Sequence, residues 1–217
     1  MVNRTVFLAL LAPLALSIGC KREATPAASR AQSVAESAHP STPVANPHGP
    51  MPAAPAANSG SLRVDSPARD ELIGQGQEAP RFRATAHDGR VIESAGRRDK
   101  PLVVYFYPRD ETPGCTVEAE GFRDAAREFE AAGVDVVGVS TDSNEAHRGF
   151  ATSHQLGFAL VSDPDGRLAS AFGVGVRMGF AQRITFVIDR TGSVGRVFDS
   201  VTPAGHATQV LAAARGS

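Results

Sequence analysis

LVVYFYPRDETPGCT, residues 102–116, decides how the rest of the chain is read. Leu102 to Tyr107 is an unbroken β-branched and aromatic run, the pattern of a strand buried on both faces. Pro108 supplies no backbone N–H, and Pro113-Gly114 shapes a turn. After the turn, Thr116 to Ala132 (TVEAEGFRDAAREFEAA) sets Phe122, Ala125, Ala126 and Phe129 at helical spacing, with charges elsewhere and Gly133 as a stop. Cys115 therefore stands where a strand gives way to a helix. Unpaired N–H groups and the positive dipole end at a helix start favour an anion there, and the thiolate is the reactive form of cysteine.

Outward from this segment, Val134 to Ser140 (VDVVGVS) reads as a second buried strand. Asn144 to His154 reads as a helix with Ser143 as its cap, and Phe158 to Val161 as a short strand entering the turn Asp163-Pro164-Asp165-Gly166. Arg183 to Ile188 and Val194 to Phe198 flank Asp189-Arg190-Thr191-Gly192, a hairpin signal, and Gly205 to Ala214 reads as a closing helix. Parallel β-α-β units followed by a hairpin and a final helix describe an α/β, thioredoxin-like fold with a central mixed sheet flanked by helices.

The N-terminal third has a different character. Arg4 gives a positive n-region, Val6 to Ile18 an apolar h-region broken by Pro13, and Gly19 a small residue before Cys20. The apolar run is too short for a membrane-spanning helix. Leu16 to Cys20 resembles the lipobox of bacterial lipoproteins, although Ser17 stands where an aliphatic residue is usual. Residues 1–20 are thus expected to be a signal with Cys20 lipidated; an ordinary cleaved signal is the alternative. Residues 21–70, rich in Ala, Pro, Ser and Thr, bury too little apolar surface to offset ordering and are expected to be a disordered tether. Residues 71–217 are long enough for one core. The expected location is the cell envelope, with the domain in the periplasm or otherwise outside the cytoplasmic membrane.

Charge is nearly balanced, with 22 Lys and Arg against 23 Asp and Glu, and no long basic run offers a nucleic-acid surface. His39 and His48 are scattered in the tether; His147 and His154, seven apart, are expected at the surface without a third ligand, so neither metal nor cofactor is expected. Cys-x-x-Cys is absent, as are Walker-type loops and nucleophile elbows.

Pro108-x-x-x-Thr112-x-x-Cys115 resembles the peroxidatic signature of peroxiredoxins, and YFYPRDETPGCT resembles the Q-type subfamily, also called bacterioferritin comigratory protein. The likeness extends from Gly76 to Phe82 (GQEAPRF), through Phe122-Arg123-Asp124 and Val137 to Asp142 (VGVSTD), to Arg183 to Asp189 (RITFVID). It implies a thiol-dependent peroxidase acting on hydrogen peroxide and organic hydroperoxides. Cys115 would be the nucleophile, Thr112 and Arg183 would contact the sulfur and the peroxide, and Pro108 would shield the thiolate from water. In isolation Arg183 would read as an exposed strand-start residue; Arg109 reads as surface charge, and for Cys115 the alternative of a small buried hydrophobe is outweighed by its polar, turn-forming neighbours.

The chain departs from that family in two places. Many Q-type members carry a resolving cysteine five residues after the nucleophile, where this chain has Glu120, read as solvated helix surface; the only other cysteine is Cys20. The implied cycle uses one cysteine, with an external reductant such as thioredoxin or a small thiol. The segment Gly173 to Gln182 is shorter than the family's loop and implies a more open rim, able to admit bulkier hydroperoxides. A monomer or weak dimer, a membrane contact through the lipid and no nucleic-acid partner complete the expectation. A non-catalytic thioredoxin-like envelope lipoprotein, serving as peroxide sensor or interaction module, is the alternative, and turnover separates the two.

Overall fold

The structure, a computed structural model, describes residues 61–94 and 99–217. The signal-like segment, Cys20 and the tether as far as residue 60 lie outside the described residues.

β4 (Leu102–Phe106) is the middle strand of a five-stranded sheet. It pairs in parallel with β5 (Asp135–Ser140), which pairs in parallel with β6 (Ala159–Ser162). On its other side β9 (Ile184–Ile188) runs antiparallel, followed by β10 (Val194–Phe198). The sheet is thus mixed, as expected. Every residue of β4 and β9 is buried, and their side chains alternate between two cores. Leu102, Val104 and Phe106 enter one core with Val137, Val139, Phe172 and Phe186. Val103, Tyr105 and Tyr107 enter the other with Cys115, Phe122, Phe150 and Leu160. Each fully buried aromatic ring stabilises by roughly 1.5–3 kcal/mol, so both faces contribute substantially. Gly138 on β5 is required by this packing, because a Cβ there would come within 2.7 Å of the Tyr105 ring.

The helix after β4 begins earlier than expected and is interrupted. α1 spans Pro113–Asp124 with Pro113 in its first turn, and α2 spans Ala126–Ala131. Ala125 between them has φ −89° and ψ 9°, outside helical geometry, and Ala126, expected on the apolar face, is exposed. α3 (Asn144–Ser153) starts as expected, with Ser143 Oγ accepting from the Ala146 N–H. α5 (His206–Ala214) packs on α1 and β9.

Four features went unread in the sequence. A three-stranded antiparallel sheet of β1 (Leu62–Val64), β2 (Phe82–Thr85) and β3 (Val91–Glu93) adds to the first core. α4 (Arg167–Phe172) follows the expected turn and is held at its start by Asp163, whose carboxylate accepts from the Leu168 and Ala169 N–H groups. β7 (Val176–Arg177) and β8 (Phe180–Ala181) form a small hairpin inside the Gly173–Gln182 loop. Finally, residues 61–70, expected to lie in the tether, belong to the folded domain: β1 pairs with β2, and the Arg69 N–H bonds to Ser170 O. Leu62 and Val64 alternate with charged neighbours and pack against the core, which is enough apolar surface to order a short strand.

Candidate active site

The turn from Pro108 to Thr112 delivers the chain from β4 into α1. Glu111 sits at φ 59°, a left-handed conformation that costs about 1–2 kcal/mol for a non-glycine residue and must be held by its surroundings. Thr112 follows as the extended N-cap residue, and its carbonyl accepts the first helical bond, from the Thr116 N–H at 2.8 Å. Pro113 has no N–H to donate. The N–H groups of Gly114 and Cys115 lie in the first turn, where a helix supplies no acceptor, and so remain available beside the thiol.

Cys115 is 1% exposed, with its sulfur on the buried face of α1. Arg183, on the last residue before β9, brings Nη2 to 3.1 Å from Cys115 Sγ. The close approach of the guanidinium to the helix start is compatible with glycine at 114, where a Cβ would stand 3.4 Å from Nη2. Two residues expected to act together, Cys115 and Arg183, are therefore adjacent although 68 positions apart. Thr112 is oriented otherwise: its hydroxyl donates to Arg109 O at 3.0 Å, and among the described residues it makes no hydrogen bond to Cys115. Pro108 is half-buried at the opposite end of the turn. Arg109 is mostly exposed, 3.9 Å from Asp142 and with its guanidinium 5.8 Å from the Phe180 ring centre.

Glu118 was missed in the sequence. Its side chain is fully buried, and Oε2 accepts from Arg183 Nη1, so one guanidinium bridges Glu118 and the thiol. Burial pushes the Glu118 carboxyl up to about 7, and the charge and hydrogen bond of Arg183 oppose that rise. His206 lies beyond it, with Nε2 2.9 Å from Thr185 Oγ1 and 3.8 Å from Glu118 Oε1. Burial first, and then the positive charge of Arg183, holds His206 down to about 4, so at neutral pH it is an uncharged neighbour. The sequence did carry a signal: an acidic residue three positions after the cysteine occupies the same helix face.

Two further expectations need correction. His147 is not at the surface but wholly buried, with Nδ1 2.8 Å from Asp110 Oδ2, because α3 turns that position toward Tyr107 and the sheet. Glu120 is not simply solvated. It is half-buried, 3.2 Å from His154 Nδ1 and 3.5 Å from Arg123, while His154 Nε2 reaches Glu111 at 3.1 Å. The hydrogen bond to Glu111, aided by Glu120, raises the His154 imidazole above its ordinary range. Among the described residues no group of three or more His, Cys, Asp or Glu side chains is arranged to hold a metal ion.

Comparison with known proteins is consistent with this geometry. The AhpC/TSA family model matches residues 75–197. The peroxiredoxin Bcp of Escherichia coli (strain K12) is 39% identical over 143 residues, covering 63% of this chain and 92% of the relative. The chloroplastic peroxiredoxin Q of Sedum lineare is 40% identical over 133 residues, 59% of this chain and 70% of its own length. Among solved structures, peroxidoxin BcpB from Mycobacterium tuberculosis superposes with a TM-score of 0.61 at 35% identity, covering 66% of this chain and 97% of the other. The bacterioferritin comigratory protein of Xanthomonas campestris, studied for its alkyl peroxide reduction activity, gives 0.59 at 35% identity, covering 66% and 98%. A buried thiol at a helix start, a guanidinium on its sulfur and a family match across most of the folded domain lead to one conclusion: the chain belongs to the AhpC/TSA family, as a Q-type peroxiredoxin and thiol-dependent peroxidase.

Proposed function

We propose that this enzyme runs a one-cysteine cycle in which Cys115 is the peroxidatic nucleophile and an external thiol is the reductant. The observation that carries the reading is the 3.1 Å approach of Arg183 to Cys115 Sγ at the first turn of α1. A guanidinium on the sulfur and a positive helix end both favour the thiolate. The thiolate attacks one peroxide oxygen; the S–O bond forms, the O–O bond breaks, and the departing hydroxide or alkoxide takes up a proton. Donors aimed at that departing charge lower the barrier, a role suited to Arg183 and to the unused Gly114 and Cys115 N–H groups. Thr112 joins them once its hydroxyl turns from Arg109 O to the bound peroxide, and Pro108 limits water at the mouth of the turn. A first thiol then displaces water from the sulfenic acid to give a mixed disulfide, and a second releases Cys115 with formation of the external disulfide.

The absence of any cysteine between Cys20 and Cys115 or after Cys115 supports the one-cysteine cycle, since Glu120 cannot resolve a sulfenic acid. Substrate range is read from the rim. The β7–β8 hairpin leads directly to Arg183 and exposes Val176, Met178 and Phe180, an apolar edge suited to alkyl hydroperoxides as well as hydrogen peroxide. The alkyl peroxide reduction reported for the Xanthomonas campestris relative supports this range. Rate constants for hydrogen peroxide and a bulky hydroperoxide test it: a relative with a longer loop and the same ratio would remove the rim from the explanation.

Export and anchoring complete the proposal. The signal-like residues 1–20 and the lipobox-like context of Cys20 support a lipid-anchored protein whose domain works outside the cytoplasmic membrane on a tether, as a monomer or weak dimer. Mass spectrometry of the mature N-terminus tests the anchor, and an unmodified or missing Cys20 would exclude it.

A further inference from the structure

The turn before Cys115 is tied down by a buried cluster that takes no part in the chemistry above. Asp110 is 7% exposed at the middle of the Pro108–Thr112 turn. Its Oδ1 accepts from the Tyr107 hydroxyl at 2.7 Å, and its Oδ2 lies 2.8 Å from Nδ1 of His147, which is wholly buried on α3. The Asp110 N–H donates to Asp142 Oδ2 at 2.9 Å, and that same oxygen accepts from Ser140 Oγ at 2.7 Å. One residue thus joins the turn to the end of β4, to α3 and to the segment after β5. Its neighbour Glu111 is the left-handed residue, so the strained step lies between the anchored Asp110 and Thr112.

The surroundings of His147 also bear on the direction of that hydrogen bond. Its Nε2 is buried and has no hydrogen-bond partner among the described residues. A hydrogen on Nε2 would be a donor without an acceptor, whereas a hydrogen on Nδ1 is donated to Asp110; a bare lone pair is the less costly orphan. The arrangement thus favours Nδ1 as the donor to Asp110.

We propose that Asp110, clamped between the Tyr107 hydroxyl and the Nδ1–H of His147, is a positioning residue that fixes the turn so that Thr112 and the N–H groups of Gly114 and Cys115 meet the peroxide in register with the sulfur. This rests on the reading of Cys115 as the peroxidatic thiol. A shift of about 1 Å in such donors lowers a rate by about 100-fold, whereas alkylation needs only the thiolate, which Arg183 still contacts, and develops no charge on a departing oxygen for them to stabilise. Asp110→Ala is accordingly expected to lower the single-turnover rate constant for oxidation of Cys115 by hydrogen peroxide by about 30- to 100-fold, and alkylation by iodoacetamide by less than about threefold. Asp110→Asn keeps an oxygen for His147 and an amide for Tyr107, and is expected to recover to within about fivefold of wild type.

Peroxide oxidation of Asp110→Ala within twofold of wild type would overturn the proposal, and so would a parallel fall in oxidation and alkylation. If Asp110→Ala does not fold, Tyr107→Phe, which removes one clamp and keeps the ring, is expected to show the same selective loss at about tenfold. Nitrogen-15 NMR of the wild-type imidazole reads the ring form directly: Nδ1–H is expected, and Nε2–H would contradict the clamp. A wild-type Cys115 that resists peroxide but alkylates readily would instead sink the peroxidase reading itself.

Discussion

Glu118 and Glu120 lie two residues apart on α1 and carry the same carboxylate, but the fold gives them different work. On a helix, Glu118 is turned about 60° from Cys115 and Glu120 about 140°, so one shares the thiol's buried face and the other looks out toward α3. Glu118 is fully buried against Arg183, and burial pushes its carboxyl up to about 7. Glu120 is half-exposed in a cluster with His154 and Arg123, where screening by solvent leaves such pairs worth at most about 1 kcal/mol. The contrast teaches that the electrostatics of the thiol are set one turn along its own helix face, while Glu120 serves a half-exposed cluster beside α3.

Substitutions that test the contrast run from the thiol outward. Cys115→Ser is expected to remove peroxide turnover altogether, a loss of at least about 1000-fold in steady-state assays, because no second thiol exists in the domain to replace it. Arg183→Ala is expected to lower kcat/KM for peroxide by about 100- to 1000-fold, the cost of removing a donor aimed at developing charge. Arg183→Lys is expected to recover only part, since an ammonium cannot reach Glu118 and the sulfur with a planar fork.

Glu118→Ala leaves Arg183 partly buried without its carboxylate and is expected to destabilise by about 3 kcal/mol in urea titration, the range for breaking a buried pair. Glu118 also has a pH signature. Its folded carboxyl titrates at about 7 against an ordinary value near 4.5, so the folded state holds that proton more tightly. The associated stability is fully present below about 4.5 and is lost as pH rises through about 7. Glu118→Gln is expected to flatten that part of the stability profile; an unchanged slope would mean that the carboxyl is not held as described. At the weak end, Glu120→Ala is expected to change kcat/KM by less than about twofold and stability by no more than about 0.5 kcal/mol. A large loss at Glu120 would erase the distinction between the two carboxylates.

The sheet was legible because β4 and β9 are apolar runs buried throughout and β5 is buried over its last four residues, which leaves no competing pattern. β1, β2 and β3 were not, because three- and four-residue strands with alternating charges resemble loop sequence until their partners are known. Arg183 was placed through the flanking Thr185 to Asp189 pattern, not through any property of an isolated arginine. Glu118 and His147 are not legible because a charged or polar residue on a helix reads as solvent-facing until its partner is known. Both are paired inside the fold, Glu118 with Arg183 from β9's approach and His147 with Asp110 from the turn, and those partners lie 65 and 37 positions away.

The central claim is that Cys115 turns over alone, reduced from outside the domain. It is tested most directly by following peroxide consumption with thioredoxin, glutathione and other small thiols while intact-mass spectrometry tracks Cys115. The account predicts many equivalents of peroxide consumed per chain, with Cys115 passing through a one-oxygen adduct and returning to the thiol. Consumption that stops at one equivalent with every reductant, leaving Cys115 oxidised, would contradict it.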